Sequence, residues 1–186
     1  MVPHGLAPHI PAKEVPQNIG CCITYVGRFE RRKGIDTMAA AIPIVLDACA
    51  GAYFVLVGDP NIDEDGQGPI NRMAIEALLS RYPGRVEMTG AIPREDLVSR
   101  YAQADIFVAP SRYESFGLIF LEAMMHGVAC VGTRVGGIPE VVVEGETGLL
   151  VPPENPGALA MAIKELVENE ELRQQLGRAG LESYHS

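Results

Sequence analysis

Two glutamates, Glu114 and Glu122, stand eight positions apart in the stretch "PSRYESFGLIFLEAMMHG". An ionised carboxylate accepts hydrogen bonds and donates none, so each acid can take both hydroxyl hydrogens of a vicinal diol. A helix between the acids would rise about 1.5 Å per residue and span on the order of 10 Å. That length is comparable with the separation of the two sugar rings in a nucleotide diphosphate sugar. The spacing therefore favours two acids that bind the two sugars of one ligand.

A simpler interpretation of each acid alone stays open. Glu114 would then be a loop residue, and Glu122 a charge on the surface of a helix. The surroundings of Glu122 weigh against this, because the segment "LIFLEAMMHGVACVG" is otherwise apolar and leaves no obvious polar face. A charge in an apolar environment is costly unless it has a partner.

A basic loop, "GRFERRKG", follows the first apolar run of the chain. It carries four cations in six residues between Gly27 and Gly34: Arg28, Arg31, Arg32 and Lys33. A guanidinium fork together with an ammonium point charge suits a pyrophosphate. A solvated basic loop without a ligand is an equally open interpretation of this stretch alone.

The start of the helix after "SRYE" offers a second way to bind phosphate. Free backbone amides at a helix N-terminus form an anion site without a basic side chain. Gly117 would let a phosphate approach the backbone closely, because glycine carries no Cβ. The diphosphate would then lie between the two acids, on these amides and on Arg28 and Lys33.

Alternating strands and helices would position these residues. Apolar runs such as "CCITYVG", "AYFVLVG" and "DIFVAP" are typical of strands that are buried on both faces of a parallel sheet. Amphipathic segments separate them, including a helix over about residues 116–126 and a helical tail over about residues 155–184. The pattern predicts a doubly wound, Rossmann-like α/β fold of about six strands, with ligands beyond the carboxyl ends of the strands.

Composition excludes several classes of protein. The 186 residues are 47% hydrophobic and 21% charged, which is ordinary for a globular domain. Apolar stretches reach about ten residues, short of the roughly 20 that span a bilayer. The net charge of −9 argues against a nucleic-acid partner.

The four cysteines show no ligand spacing, which predicts buried thiols in a reducing cytoplasm and no metal site. Residues 1–19 contain four prolines and are expected to form a linker or strap.

From about residue 20 to its end, the chain resembles the C-terminal, donor-binding half of a family 4 retaining glycosyltransferase with the GT-B fold. Four features in the right order carry the resemblance: the Gly-Arg…Lys-Gly loop, the two glutamates, "GGIPE" and "GETGLLVPP". The resemblance implies that residues 20–186 form the nucleotide-sugar-binding domain and that residues 1–19 are an interdomain linker. It also implies a partner, the acceptor-binding N-terminal domain, which this chain lacks and through which any membrane contact would be made.

The resemblance assigns roles residue by residue. Gly27, Arg28 and Lys33 match the loop that binds the diphosphate, and Ile92 in "GAIP" lies where the base is recognised. Five consecutive residues match the segment that binds the phosphates and the donor sugar: Glu114, Ser115, Phe116, Gly117 and Leu118. Glu122 matches the residue that binds the ribose, whereas Gly136, Gly137 and Glu140 are expected to be structural.

The implied reaction is transfer of a sugar from a UDP- or GDP-type donor to an acceptor hydroxyl, with retention. Glu114, Arg28 and Lys33 would be the catalytic residues. Because Arg28, Lys33 and the amides would stabilise the departing diphosphate, neither a metal nor a cofactor is expected. Half of a sugar-nucleotide epimerase or phosphorylase, or a nucleotide-sugar-binding module, is the alternative. A redox Rossmann domain would need G-x-G-x-x-G after the first strand, where "GRFERRKG" stands instead.

Overall fold

Short apolar runs form the six strands of one parallel sheet in the computed structural model, which describes residues 20–59 and 68–185. The strands are β1 (Cys21–Val26), β2 (Ala52–Val57), β3 (Val86–Gly90), β4 (Ile106–Ala109), β5 (Ala129–Thr133) and β6 (Gly148–Val151). Their order across the sheet is β3-β2-β1-β4-β5-β6. The predicted doubly wound α/β fold is confirmed. The predicted linker over residues 1–19 lies outside the described residues.

Within the described residues, seven α-helices cover the two faces of this sheet. They are α1 (Ile35–Ala48), α2 (Gly68–Arg81), α3 (Arg94–Gln103), α4 (Leu118–Met124), α5 (Ile138–Val141), α6 (Pro156–Glu168) and α7 (Glu170–Tyr184). Apolar side chains of α1, α2 and α6 share one buried cluster with β1, β2 and β4. A second cluster joins α3, α4 and α5 to the opposite face. Burial on both faces explains why β4 is apolar throughout. None of the described helices is long and apolar enough to cross a membrane.

The strand order reverses between β1 and β4. The chain builds β1, β2 and β3 outwards in one direction and then returns to place β4 on the other side of β1. Two loops that leave neighbouring strands in opposite directions open a crevice at the carboxyl edge of such a sheet. The loop after β1 carries the basic residues, and the loop after β4 carries Glu114. The topology therefore brings the two predicted halves of the site together.

Two helices differ from their predicted extent. The helix predicted over residues 116–126 covers only Leu118–Met124, so Glu114 precedes it and Glu122 lies inside it. The predicted single helical tail is two helices separated by Asn169. Asn169 has non-helical backbone angles, and its side chain accepts a hydrogen bond from the Leu172 amide. This N-cap starts a new helix and explains the break.

Candidate functional site

The loops after β1 and β4 touch each other at a glycine. Gly34 has φ +72°, and a Cβ at this position would lie 1.9 Å from the carbonyl oxygen of Pro110. Only a residue without a side chain adopts this backbone conformation so close to another main chain. Gly34 therefore lets the 3₁₀ turn Arg31–Lys33 pack directly against the end of β4.

Lys33 and Glu114 meet across this junction. The Lys33 ammonium Nζ lies 2.6 Å from Oε2 of Glu114, and the two side chains are only 16% and 14% exposed. The Glu114 carboxylate also accepts hydrogen bonds from the backbone at Phe116 and Gly117. Burial raises the pKa of the Glu114 carboxyl, but Lys33 and the two amides outweigh it, so the pKa lies below its usual value. The acid is therefore ionised at neutral pH.

The amides at the start of α4 are partly used by the protein itself. The sequence predicted free amides at Phe116, Gly117 and Leu118 for a phosphate. In the structure, the backbone at Phe116 and Gly117 donates to Glu114 instead. Gly117, the N-cap of α4, has φ +68°, a left-handed conformation that glycine adopts readily. Phosphate binding at this turn stays a prediction, and Glu114 is the side chain with which a phosphate would compete.

Arg28 is held by a buried acid that sequence reasoning missed. Glu30 is only 3% exposed, and its Oε1 lies 3.1 Å from Arg28 and 3.0 Å from Arg32. The Arg28 side chain remains 38% exposed. The Tyr25 hydroxyl also donates to the Arg28 carbonyl oxygen at 2.9 Å. Glu30 thus anchors one end of the Arg28 guanidinium and leaves part of it accessible to a ligand.

Arg112 joins the two loops and was also missed. Its guanidinium forms a bidentate pair with Asp36 at 2.6 and 2.7 Å. The same side chain donates to the Arg31 carbonyl oxygen and lies 3.2 Å from Glu154. The Arg112 amide donates to the Arg32 carbonyl oxygen at 2.9 Å. In the sequence, the "SRYE" context of this arginine marked it only as a loop residue.

Two glycines support Glu114 from behind. A Cβ on Gly136, whose φ is +51°, would lie 1.9 Å from the Glu114 carbonyl oxygen, and one on Gly137 would lie 2.4 Å from the Ser115 carbonyl oxygen. The Gly137 amide donates to the Glu114 carbonyl oxygen at 2.9 Å. These contacts give both glycines the structural role that the sequence predicted for them.

Glu122 points to a different neighbour. The hydroxyl of Tyr101, in α3, donates to Oε2 of Glu122 at 3.0 Å. The two side chains line a cleft of about 30 Å³ together with Arg94, Leu97 and His126. Arg94 is the first residue of α3 and directly follows the loop "AIP". Glu122 therefore has a partner, and its cleft reaches the segment predicted to recognise the base.

The remaining predicted residues occupy the same edge of the sheet or its surroundings. The Gly27 amide donates to the Val57 carbonyl oxygen at the end of β1. Ile92 is half-buried and packs against a small cluster of Cys22, Val55 and Val57. Ser115 is exposed, and so are the side chains of Phe116 (73%) and Leu118 (62%). The structure thus joins Lys33 to Glu114 directly and leaves Arg28 and Glu122 with separate partners.

Larger clefts lie elsewhere on the described surface. Three of them measure about 510 to 640 Å³, and their lining residues include none of the predicted site residues. One of them lies at the amino end of β1, beside Cys21, Tyr53 and Asp105. Cleft volume alone would therefore point to a different candidate site. The crevice between β1 and β4 is favoured because cations and acids pair there and because the strand order reverses there.

Comparisons with known proteins match this architecture. The family described as glycosyl transferases group 1 matches residues 11–183. A D-inositol 3-phosphate glycosyltransferase from Corynebacterium diphtheriae is 36% identical over an alignment of 165 residues, and the match covers 86% of this chain and 37% of that protein. The chain thus spans little more than a third of the length of this relative.

Solved structures share the fold. A sucrose-phosphate synthase from Thermosynechococcus elongatus superposes with a TM-score of 0.76 at 37% identity, over 89% of this chain and 41% of that one. The protein HepE from Anabaena, crystallised with UDP-glucose, superposes with a TM-score of 0.76 at 22% identity, over 89% and 44%. The GT-B resemblance is confirmed. On the strength of the family match over nearly its whole length, this chain belongs to the group 1 glycosyl transferases.

Proposed function

We propose that this chain is the donor-binding domain of a glycosyltransferase that moves a sugar from a nucleotide diphosphate sugar to an acceptor hydroxyl, with retention and without a metal. The observation that carries the proposal is the Lys33–Glu114 pair at the point where the strand order reverses. The location is where open α/β sheets bind their ligands. Transfer would need the acceptor-binding half, so the chain alone would bind donor without reacting.

The cations of the first loop suit the diphosphate. An ammonium has three N–H donors, and Glu114 uses one of those of Lys33. The partly exposed guanidinium of Arg28, held by Glu30, offers a fork to a second phosphate oxygen. As the bond between the sugar and the diphosphate breaks, negative charge grows on the leaving group. Fixed cations at that place stabilise it without reorganising, which is how Lys33 and Arg28 would contribute to the rate.

The two acids would bind the two sugars of the donor. Glu114 lies next to Lys33, which would bind the diphosphate, so we assign the remaining acceptor sites of Glu114 to the sugar attached to the second phosphate. Ser115, Phe116, Gly117 and Leu118 would complete that side of the pocket. Glu122, inside α4, would take the ribose, and Ile92 and its neighbours would take the base.

The nature of the donor is supported by the structural neighbour that binds UDP-glucose. We propose a UDP- or GDP-type donor and no additional cofactor. The second half of the enzyme, which would carry the acceptor site, is the expected protein partner. We propose a cytoplasmic enzyme, with any contact to a membrane made through that second half.

A binding experiment tests the proposal. Isothermal calorimetry of the chain with UDP, GDP and UDP-glucose should detect binding to at least one of them, and the same ligand should raise the thermal unfolding midpoint. Lys33→Ala and Arg28→Ala should each weaken binding by about 1.5–3 kcal/mol, as expected for a lost charge-assisted contact. Lys164→Ala, in α6, is the matched control and should bind like the unmodified chain. Equal affinity in all three variants would overturn the assignment.

A further inference from the structure

Tyr101 is buried and packs against two other rings. The side chain is only 2% exposed. Its ring stacks on His126, with centroids 6.1 Å apart and planes 8° from parallel, and packs against Phe107 at 5.6 Å. Close packing around a buried ring restricts its movement and therefore that of the hydroxyl at its end. That hydroxyl donates to Oε2 of Glu122 at 3.0 Å.

The bond has a defined direction. Burial, and after it the charge of Glu122, raises the pKa of the Tyr101 hydroxyl far above the physiological range. Tyr101 therefore stays protonated and donates, and the carboxylate accepts. In the part of the chain that the structure describes, Oε1 of Glu122 has no hydrogen-bond partner. One oxygen of the acid is thus held by the protein and the other is left for a ligand.

We infer that Tyr101 is a positioning residue, whose hydroxyl holds Oε2 of Glu122 so that Oε1 is directed at the vicinal diol of the nucleotide ribose. The inference rests on the proposed function, because it assigns Glu122 to the ribose. A glutamate side chain has several rotatable bonds, and fixing it only when the ligand arrives would weaken binding. Fixing it in advance through Tyr101 avoids that loss. The apolar wall of the cleft, including Leu97, strengthens the hydrogen bonds made there.

The test compares ribose with a sugar that lacks the diol. The probes are UDP and GDP and their 2′,3′-dideoxy counterparts, titrated calorimetrically into the chain. Tyr101→Phe keeps the ring and its packing but removes the hydroxyl. It should weaken binding of the ribonucleotide roughly five- to tenfold, about the worth of one hydrogen bond. Binding of the dideoxy compound should stay unchanged, so the preference for ribose should shrink by the same factor.

Two variants serve as controls. Tyr82→Phe removes a similar bond, because the Tyr82 hydroxyl donates to Asp47 at 2.6 Å on the far side of the domain. It should leave the ribose preference unchanged. In a Glu122→Gln background, adding Tyr101→Phe should change the preference by much less than it does alone, because the residue acts through the acid.

The outcomes separate the inference from the proposed function. If none of the four nucleotides binds, the proposed function is wrong and the inference falls with it. If a ribonucleotide binds but Tyr101→Phe weakens it and its dideoxy counterpart equally, only the inference is overturned. A crystal structure of the unmodified chain with the bound ribonucleotide gives an answer that does not depend on the variant folding. It should show Tyr101 on one oxygen of Glu122 and the ribose on the other, and a Tyr101 hydroxyl turned away from Glu122 would contradict the inference.

Discussion

The ammonium of Lys33 lies 2.6 Å from the carboxylate of Glu114, although 81 positions separate the two residues in the chain. Lys33 belongs to the turn after β1, and Glu114 belongs to the loop after β4. Their contact is possible because β1 and β4 are neighbours in the sheet, with Ile23 opposite Ile106. One ion pair therefore marks the place where the reversal of strand order opens the sheet.

Glu114→Gln should destabilise the fold in a pH-dependent way. The variant loses the ion pair and should lower the free energy of unfolding by about 1–3 kcal/mol at pH 7. The pKa of Glu114 is lowered in the folded state, so its stabilisation is present above the pKa of an unfolded glutamate, about 4.3. It is lost as the pH falls through the lower folded-state pKa. Urea unfolding at pH 7 and at progressively lower pH should show the two proteins converging, and a constant difference would contradict the ion pair.

Arg112→Ala should loosen the junction between the two loops. It removes the bidentate bond to Asp36 and the bond to the Arg31 carbonyl oxygen. The variant should therefore lower the free energy of unfolding by about 1.5–3 kcal/mol or more. Arg134→Ala breaks an exposed pair with Glu144, whose partners are 51% and 46% exposed, and should cost less than about 1 kcal/mol. Urea denaturation of both variants checks the ranking. Equal losses would mean that Arg112 acts as an ordinary surface charge.

Gly136→Ala should disturb Glu114 without touching its side chain. The new methyl group would collide with the Glu114 carbonyl oxygen, and the backbone at φ +51° disfavours any side chain. Gly145 is the matched control, because it has φ +74° but no neighbouring atom within 4 Å of the place that a methyl group would take. Gly145→Ala should therefore show only the backbone penalty, about 1–2 kcal/mol. Thermal unfolding should place Gly136→Ala well below Gly145→Ala, and similar midpoints would show that the collision is relieved at no cost.

His126→Phe should stabilise the domain, most of all in mild acid. Neither ring nitrogen of His126 has a hydrogen-bond partner among the described residues, and burial lowers the pKa of the imidazole. The unfolded chain binds a proton near pH 6.5, whereas the folded chain binds it only at lower pH, so folding becomes less favourable as the pH falls below about 6.5. Phenylalanine removes this penalty and keeps a ring against Tyr101.

The measurement for His126→Phe is the free energy of unfolding at pH 8 and pH 5.5. We expect a gain of about 1 kcal/mol at pH 8 from removing an unsatisfied buried group, and a larger gain at pH 5.5. His185→Phe replaces an exposed histidine near the end of α7 and should not show that increase. A gain for His126→Phe that is the same at both pH values would contradict the assigned protonation behaviour.

The sequence predicted the fold well because the strands are buried on both faces. An uninterrupted apolar run such as "DIFVAP" distinguishes β4 from a half-exposed strand, and glycines mark several strand ends. The helical tail was predicted less well. Its apolar spacing continues through residues 155–184, and the break depends on the local hydrogen bond between the Asn169 side chain and Leu172. The spacing of apolar residues does not reveal such an N-cap, because the cap is a hydrogen bond of a polar side chain.

The same distinction applies to the site. Lys33 and Glu114 were predicted as members of one site, because both follow strands whose carboxyl ends share an edge. Glu30, Arg112 and Tyr101 were missed, since their importance comes from contacts made only after folding. Arg112 lies 76 positions from Asp36, and Tyr101 lies 21 from Glu122. A short sequence motif does not predict that a charged group or hydroxyl will contact a partner so far away in the sequence.

The order of strands in the sheet also affects how the chain emerges from the ribosome. β1 ends up in the interior of the sheet, yet β4, which covers one of its sides, is made about eighty residues later. Until then, a nascent chain that has paired β1 with β2, and β2 with β3, exposes a row of unpaired backbone groups along β1. Such an apolar edge is a template for wrong association with other chains. Synthesis that stalls before Ile106 would leave this edge open, so the polypeptide is most vulnerable to aggregation at the stage when its basic turn already exists but the acid that meets it does not.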